Sequence, residues 1–183
     1  MANNSLILKS SSRSQGNSSA LADQLENGAK EQGASVTSLY LPEMDINPCD
    51  GCDACLEAGS CIIGDDMQEI YPLLLEADAI VIAGPVYWFS ISAQAKLCID
   101  RWYGLPDGSF KGKQFGVVLT YADSDLYSSG GINVIHSYES MFRYLEADFT
   151  GLVHGSVEHV GEAEQQPALM ESAYQLGQKL GTM

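Results

Sequence analysis

The stretch Leu6-Ile7-Leu8-Lys9-Ser10-Ser11-Ser12-Arg13-Ser14-Gln15-Gly16-Asn17-Ser18-Ser19 runs from three aliphatic residues into a loop of hydroxyls, amides and one arginine. Helical spacing follows at once: Leu21, Leu25 and Ala29 recur one turn apart, and Gly33 stands where a helix C-terminal glycine belongs. Asn17 or Ser18 is expected to cap this helix. A buried strand that passes through such a loop onto a helix N-terminus is a ready phosphate site. Backbone N–H groups and hydroxyls point inward, and the helix dipole favours negative charge. Arg13 supplies the one cation in reach. Read alone, the loop is also open to the plainer account of a polar strand–helix connection that binds nothing.

Working outward, the same alternation repeats along the chain. Residues 5–10 are expected to form the first strand, and 35–41 a second with one less buried face. Residues 42–64 lack periodicity and read as a long insertion loop; loops of this length in a compact domain are usually functional. Asp65 is expected to cap the next helix with Gln68 as its reciprocal partner, and Pro72 to kink or split that helix. Residues 78–84 form an apolar strand, and the helix after it carries Ile91, Ala95, Cys98 and Trp102 on one face. Strand 114–120 follows, then a loop over 121–131, a helix marked by Ile135, Tyr138, Phe142 and Leu145, and a strand over 148–157. Leu169, Ala173, Leu176 and Leu180 mark the last helix. Strand and helix five times over imply a single α/β domain spanning 1–183. Its expected architecture is a flavodoxin-like three-layer sandwich, with a five-stranded parallel sheet in the order 2-1-3-4-5 and its ligand at the carboxyl ends of strands 1 and 3.

Composition narrows the partners. The formal charge of −15, from 9 basic and 24 acidic side chains, repels nucleic acid and anionic membranes and steers the chain toward basic partners. It also opposes tight binding of a polyanion such as NADPH unless local basic residues compensate. No apolar run approaches the roughly 20 residues a membrane-spanning helix needs, and no export signal is visible, so a cytoplasmic location is expected.

Three loops should converge at the switch point: 10–18, 85–89 and 121–131. The second, Pro85-Val86-Tyr87-Trp88-Phe89, places large aromatics where they can stack on a flat ring, unless Tyr87 and Trp88 pack on neighbouring helices instead. The third offers Tyr121, Tyr127, Gly130 and Gly131, whose glycines let backbone approach a ligand closely. One phosphate site and one planar-ring site, without Gly-x-Gly-x-x-Gly or a Walker lysine, fit a mononucleotide, and FMN fits best.

These residues carry a resemblance to the NADPH-dependent FMN reductase group of flavodoxin-like proteins. That group opens with Gly-Ser-Pro-Arg, two variable residues, and Gly-Asn-Thr; here Ser10-Ser11-Ser12-Arg13 and Gly16-Asn17-Ser18 stand in those places. The resemblance implies Ser11, Arg13, Asn17 and Ser18 as FMN phosphate ligands and the Pro85 segment as the flavin-ring loop. Ser10 and Ser12 depart from the pattern, replacing a glycine and a proline. Lys96, Asp100 and Arg101 match the group's Lys-x-x-x-Asp-Arg stretch. The resemblance further implies NAD(P)H as reductant and assembly as a homodimer or homotetramer.

Four of the five cysteines form the run Cys49-x2-Cys52-x2-Cys55-x5-Cys61. In a cytosolic chain such a cluster reads as metal-binding or redox-active. Its first steps are similar to a bacterial ferredoxin run, and zinc sites usually separate their pairs further. The compact spacing resembles the iron–sulfur flavoproteins, which implies Cys49, Cys52, Cys55 and Cys61 as ligands of a 4Fe–4S cluster near FMN. A loop of free thiols, or a dithiol such as Cys52 with Cys55, stays open beside it. Asp45, Asp50, Asp53, Glu57, Asp65 and Asp66 surround the run and would lower the potential of an anionic cluster. Cys98, on an apolar helix face, reads as core, and His136, His154 and His159 show no ligand spacing.

Three functions follow as expectations. The first is an FMN-dependent oxidoreductase, reduced by NAD(P)H and passing electrons to an acceptor, with no catalytic side chain required beyond the flavin. The second is an electron carrier with FMN and a 4Fe–4S cluster, fed by a ferredoxin-like partner. The third is a flavin-binding module without turnover.

Overall fold

The computed structural model describes residues 3–182. In chain order the elements are β1 (Asn4–Lys9), α1 (Asn17–Glu31), β2 (Ser35–Tyr40), α2 (Ala54–Ala58), α3 (Met67–Glu76), β3 (Ala79–Pro85), α4 (Ala93–Asp100), β4 (Gln114–Tyr121), α5 (Gly131–Tyr144), β5 (Asp148–Ser156) and α6 (Pro167–Gly181). Short 3₁₀ turns follow β2 at Leu41–Glu43 and α4 at Arg101–Gly104. All five strands are parallel, in the order β2-β1-β3-β4-β5, as the alternation implied.

The sheet is buried on both faces, which is why its central strands read as unbroken apolar runs. Leu6 and Leu8 of β1, Ile80 and Ile82 of β3, and Val117 and Leu119 of β4 face α3, α4 and α5, with Ile70, Leu74, Cys98, Tyr138 and Phe142 against them. Ile7, Val81 and Val118, one step out of phase, face α1 and α6 through Leu21, Leu25, Leu176 and Leu180. Edge strand β2 has no fully buried residue, matching its polar alternation. Helices α1 and α6 meet backbone to backbone: a Cβ at Gly28 would overlap the Tyr174 carbonyl, and one at Gly177 the Leu25 carbonyl.

Several local expectations are corrected. The N-cap of α1 is Gly16, extended and without a side-chain cap bond, while Asn17 and Ser18 already lie inside the helix. Residues 42–64 are not wholly irregular, since α2 forms over Ala54–Ala58 and carries Cys55. Asp65 accepts from the Met67 amide at 3.1 Å, but Gln68 is not its reciprocal partner. The Gln68 side chain instead donates to the carbonyls of Cys61 (3.1 Å) and Ile63 (2.8 Å). Helix α3 runs on through Pro72 without splitting. Ile91 precedes α4 and Trp102 follows it in the 3₁₀ turn, with Ser92 as the cap, its hydroxyl accepting from the Ala95 amide at 3.3 Å.

Candidate functional site

At the carboxyl edge of the sheet the three expected loops meet. The first turns sharply, Gly16 N–H donating to the Arg13 carbonyl at 2.9 Å and Arg13 N–H to the Ser11 hydroxyl at 3.1 Å. Among the described residues, the amides of Ser12, Ser14, Gln15, Asn17 and Ser18 have no hydrogen-bond partner. Arg13 is exposed and joins no ion pair among the described residues. Free amides at a helix N-terminus beside an unpaired guanidinium are the elements of an anion cradle.

The side chains expected as phosphate ligands divide. Ser11 is buried, with its hydroxyl turned into the loop toward the Arg13 amide. The Asn17 amide group is committed elsewhere: it donates to the His159 carbonyl at 2.8 Å and accepts from Gly161 and Ala163 N–H at 3.1 and 3.2 Å. Asn17 thus joins the loop to residues 159–163 and, in this state, offers a ligand only its backbone. Ser18 is buried in the first turn of α1. Ser12, which replaces the resembling group's proline, shares a 2.9 Å hydrogen bond with the Tyr87 hydroxyl and ties the first loop to the second.

The second loop is a two-residue hairpin. Tyr87 and Ser90 exchange backbone bonds of 2.9 and 3.1 Å, and Trp88 and Phe89 at its tip both take positive φ, +48° and +63°. This is the type I′ geometry that asparagine and glycine favour. Trp88 is 92% exposed and Phe89 55%, so neither is spent on packing against a helix. Pro85 and Val86 are half-buried at the base, where the Val86 amide donates to the Thr120 carbonyl at 2.8 Å.

The third loop closes on the second. At Gly130, φ +77°, an added Cβ would lie 2.6 Å from Phe89 Cα, so the space this glycine leaves is filled by the aromatic hairpin. The absent side chain of Gly131 is likewise filled by Leu126. Tyr121 is buried and turned along the sheet, its hydroxyl 3.0 Å from His154 Nδ1, rather than into the crevice. Tyr127 is 78% exposed. A concavity of about 780 Å³ lies apart from the three loops, bordered by Cys55, Tyr103, Lys111 and Tyr144.

Cys49, Cys52, Cys55 and Cys61 line one small cleft together with Asp50, Asp53, Asp100, Arg101 and Tyr103. No three of its acidic or thiol groups close on a single ion among the described residues. The four thiols that border the cleft match in number and type the donor set of a 4Fe–4S centre. Burial works to raise the Cys61 thiol pKa, but the Ile63 amide, the Arg101 guanidinium and the Tyr71 hydroxyl reverse it and leave it below the usual range. Arg101 donates to Cys61 Sγ at 3.2 Å and pairs with Asp65. The sequence placed Arg101 in a matched motif without a role. Cys98 is fully buried, and burial pushes its thiol up to about 12, in keeping with a core residue.

The profile of the NADPH-dependent FMN reductase family matches residues 4–157. The chain is 31% identical to an iron-sulfur flavoprotein of Methanocaldococcus jannaschii, over 94% of its own length and 93% of the relative's. It is 38% identical to an iron-sulfur flavoprotein of Archaeoglobus fulgidus over 61% of its own length, and there spans about half of that relative, 51%. Its fold is similar to that of an NAD(P)H:quinone oxidoreductase of Methanothermobacter marburgensis, with TM-score 0.76 and 19% identity over 100% of this chain and 99% of that one. No helix among the described residues is long and apolar enough to cross a membrane.

Proposed function

Since the chain belongs to the NADPH-dependent FMN reductase family, we propose that it is an FMN-dependent oxidoreductase, reduced by NAD(P)H and passing electrons from its flavin to an acceptor. The observation that carries this reading is the pairing of two unfilled features. An unpaired Arg13 with free loop amides stands at one end of the crevice, and the solvent-exposed aromatic hairpin at the other, tied together by Ser12 and Tyr87. FMN, when bound, supplies hydride acceptance and electron release in ones or twos. The chain's own work is to hold it. The Arg13 side chain and the free amides of Ser12, Ser14, Gln15, Asn17 and Ser18 bind the phosphate, and Tyr87, Trp88 and Phe89 present apolar faces to the ring. With a net charge of −15, Arg13 is also the local cation that offsets long-range repulsion of a nucleotide. Arg13→Ala should weaken FMN binding about 10-fold or more, the scale of a charge-assisted hydrogen bond; unchanged flavin content would remove Arg13 from the phosphate site. Mixing the protein with NADH or NADPH in a stopped-flow instrument tests the donor, and a flavin that neither nucleotide reduces refutes the reading.

One further element has its own support: four thiols around one cleft, with a cationic donor on the last. In this reading Cys49, Cys52, Cys55 and Cys61 hold a 4Fe–4S cluster, which supplies one-electron steps next to the flavin's two. Anaerobically purified protein should then carry iron and sulfide, and Cys52→Ser should lose both while keeping FMN. Assembly into dimers or tetramers belongs to the same reading, supported by the exposed Trp88, Phe89 and Tyr127; sedimentation tests it.

A further inference from the structure

Arg101 is among the largest fully buried side chains of the molecule. Its guanidinium and the Asp65 carboxylate are both without solvent exposure and are joined by two bonds, 2.5 Å from Nη1 and 3.2 Å from Nη2. The same fork reaches the cysteine segment at both ends. Nη1 donates to the Asn47 carbonyl at 2.9 Å, two residues before the first cysteine of the run, and Nη2 donates to Sγ of the last, Cys61, at 3.2 Å. Asp65 also accepts from the Asn47 amide at 2.9 Å, and Tyr71 donates to the Arg101 carbonyl at 3.0 Å. The segment between Asn47 and Cys61 therefore leaves and returns on one cation.

A buried ion pair is a weak source of stability, because desolvation offsets its attraction. This one has a second task available. The thiol cleft is bordered by Asp50, Asp53 and Asp100, and Arg101 is the only cation lining it among the described residues. An anionic centre among those carboxylates needs a fixed positive donor near its ligands. We infer that Arg101 is the positioning residue of the thiol cleft: with Asp65 it clips both ends of the 47–65 segment together and, through its N–H···S bond, holds Cys61 facing the other three cysteines and makes any iron–sulfur centre there easier to reduce. The inference rests on the reading that the four cysteines hold such a centre.

The test uses the full FMN-loaded chain, rebuilt anaerobically with ferrous iron and sulfide. Arg101→Gln alone would strand the buried Asp65 charge, so the informative variant is Arg101→Gln with Asp65→Asn. It should keep FMN within twofold of the parent and lose iron and sulfide at least fivefold. The centre that does form should titrate at a lower midpoint potential, because the donor on the sulfur has lost its charge while Asp65 makes no contact with that sulfur. Arg101→Lys, which keeps the charge, should recover the potential. Hydrogen exchange across 47–65, measured before iron is added, should quicken at least 10-fold in the double variant. Parent-like loading and potential in the folded double variant overturn the inference, as does unchanged exchange. If the parent itself takes up no iron, the cluster reading fails, and the exchange measurement still decides whether Arg101 clips the segment. If the double variant does not fold, Arg101→Lys decides: parent-like loading and exchange in it would show that the fork has no positioning role.

Discussion

Replacing Trp88-Phe89 by Asn-Gly at the hairpin tip should make the protein more stable and a poorer flavin binder. Both residues sit at positive φ, +48° and +63°. For side chains other than glycine that conformation costs roughly 1–2 kcal/mol each. Trp88 is 92% exposed, so its removal forfeits almost no packing, while Phe89, 55% exposed, gives up part of its contact with Gly130. Asn-Gly is the preferred type I′ pair, and the glycine returns about 0.5–1 kcal/mol through a freer unfolded chain. The net gain is about 1–2 kcal/mol, which for a chain of this size raises Tm by about 2–8 °C. Against it stands the loss of aromatic faces, about 0.5–1.5 kcal/mol of stacking, which weakens FMN roughly 2- to 12-fold. Scanning calorimetry of the apoprotein measures the first effect, and quenching of flavin fluorescence the second. An apoprotein no more stable than the parent would refute the strain argument. FMN affinity equal to the parent's would refute the assignment of the hairpin to the ring.

Three other outcomes follow from the structure. Gly130→Ala places a Cβ 2.6 Å from Phe89 Cα at a φ of +77°; overpacking and strain together should cost about 2–4 kcal/mol in denaturant titrations and loosen FMN as the hairpin shifts. Iron-free protein treated with iodoacetamide at pH 8 should be labelled at the exposed Cys49 and Cys52 and spared at Cys98, whose thiol is buried and raised to about 12; peptide mass mapping reads this directly. Burial would raise the Asp65 pKa, but hydrogen bonds from Arg101 and from the Asn47 and Met67 amides hold it below the usual range. Its stabilisation is therefore complete above the ordinary aspartate value near 4 and is lost as pH falls through the depressed one. Asp65→Asn should cost about 3–5 kcal/mol at pH 7 by leaving Arg101 unpaired, and should flatten the fall of stability below about pH 4.

The parts of this molecule that were legible in its sequence are those set by local periodicity and burial. Leu6 to Leu8, Ala79 to Ala83 and Val117 to Leu119 read as strands because both faces of a parallel sheet are covered. Leu21, Leu25 and Ala29 read as a helix because one stripe of it is buried. What stayed hidden depends on pairs far apart in the chain. Asn17 looks like a cap or a phosphate ligand until residues 159–163 come round to occupy its amide. Ser12 looks like a defect in a motif until Tyr87 arrives beside it. Gly130 suits close approach, but the group that approaches is Phe89. Arg101 and Asp65, 36 residues apart, are two ordinary charged residues until the fold removes both from water.

The backbone seam between α1 and α6 carries a consequence for where the ligand grip resides. Helix α1 presents the cradle at its first turn, and its rear is fastened through Gly28 to Tyr174 and through Leu25 to Gly177. Its front is fastened by Asn17 to residues 159–163. Every one of those fastenings lies beyond residue 157, where the profile match stops. A protein shortened to end after β5 would retain each loop that faces the crevice, yet its nucleotide clasp would have no backstop. The segment after residue 157, which meets the expected ligand groups at Asn17, serves as the buttress against which the N-terminal turn closes.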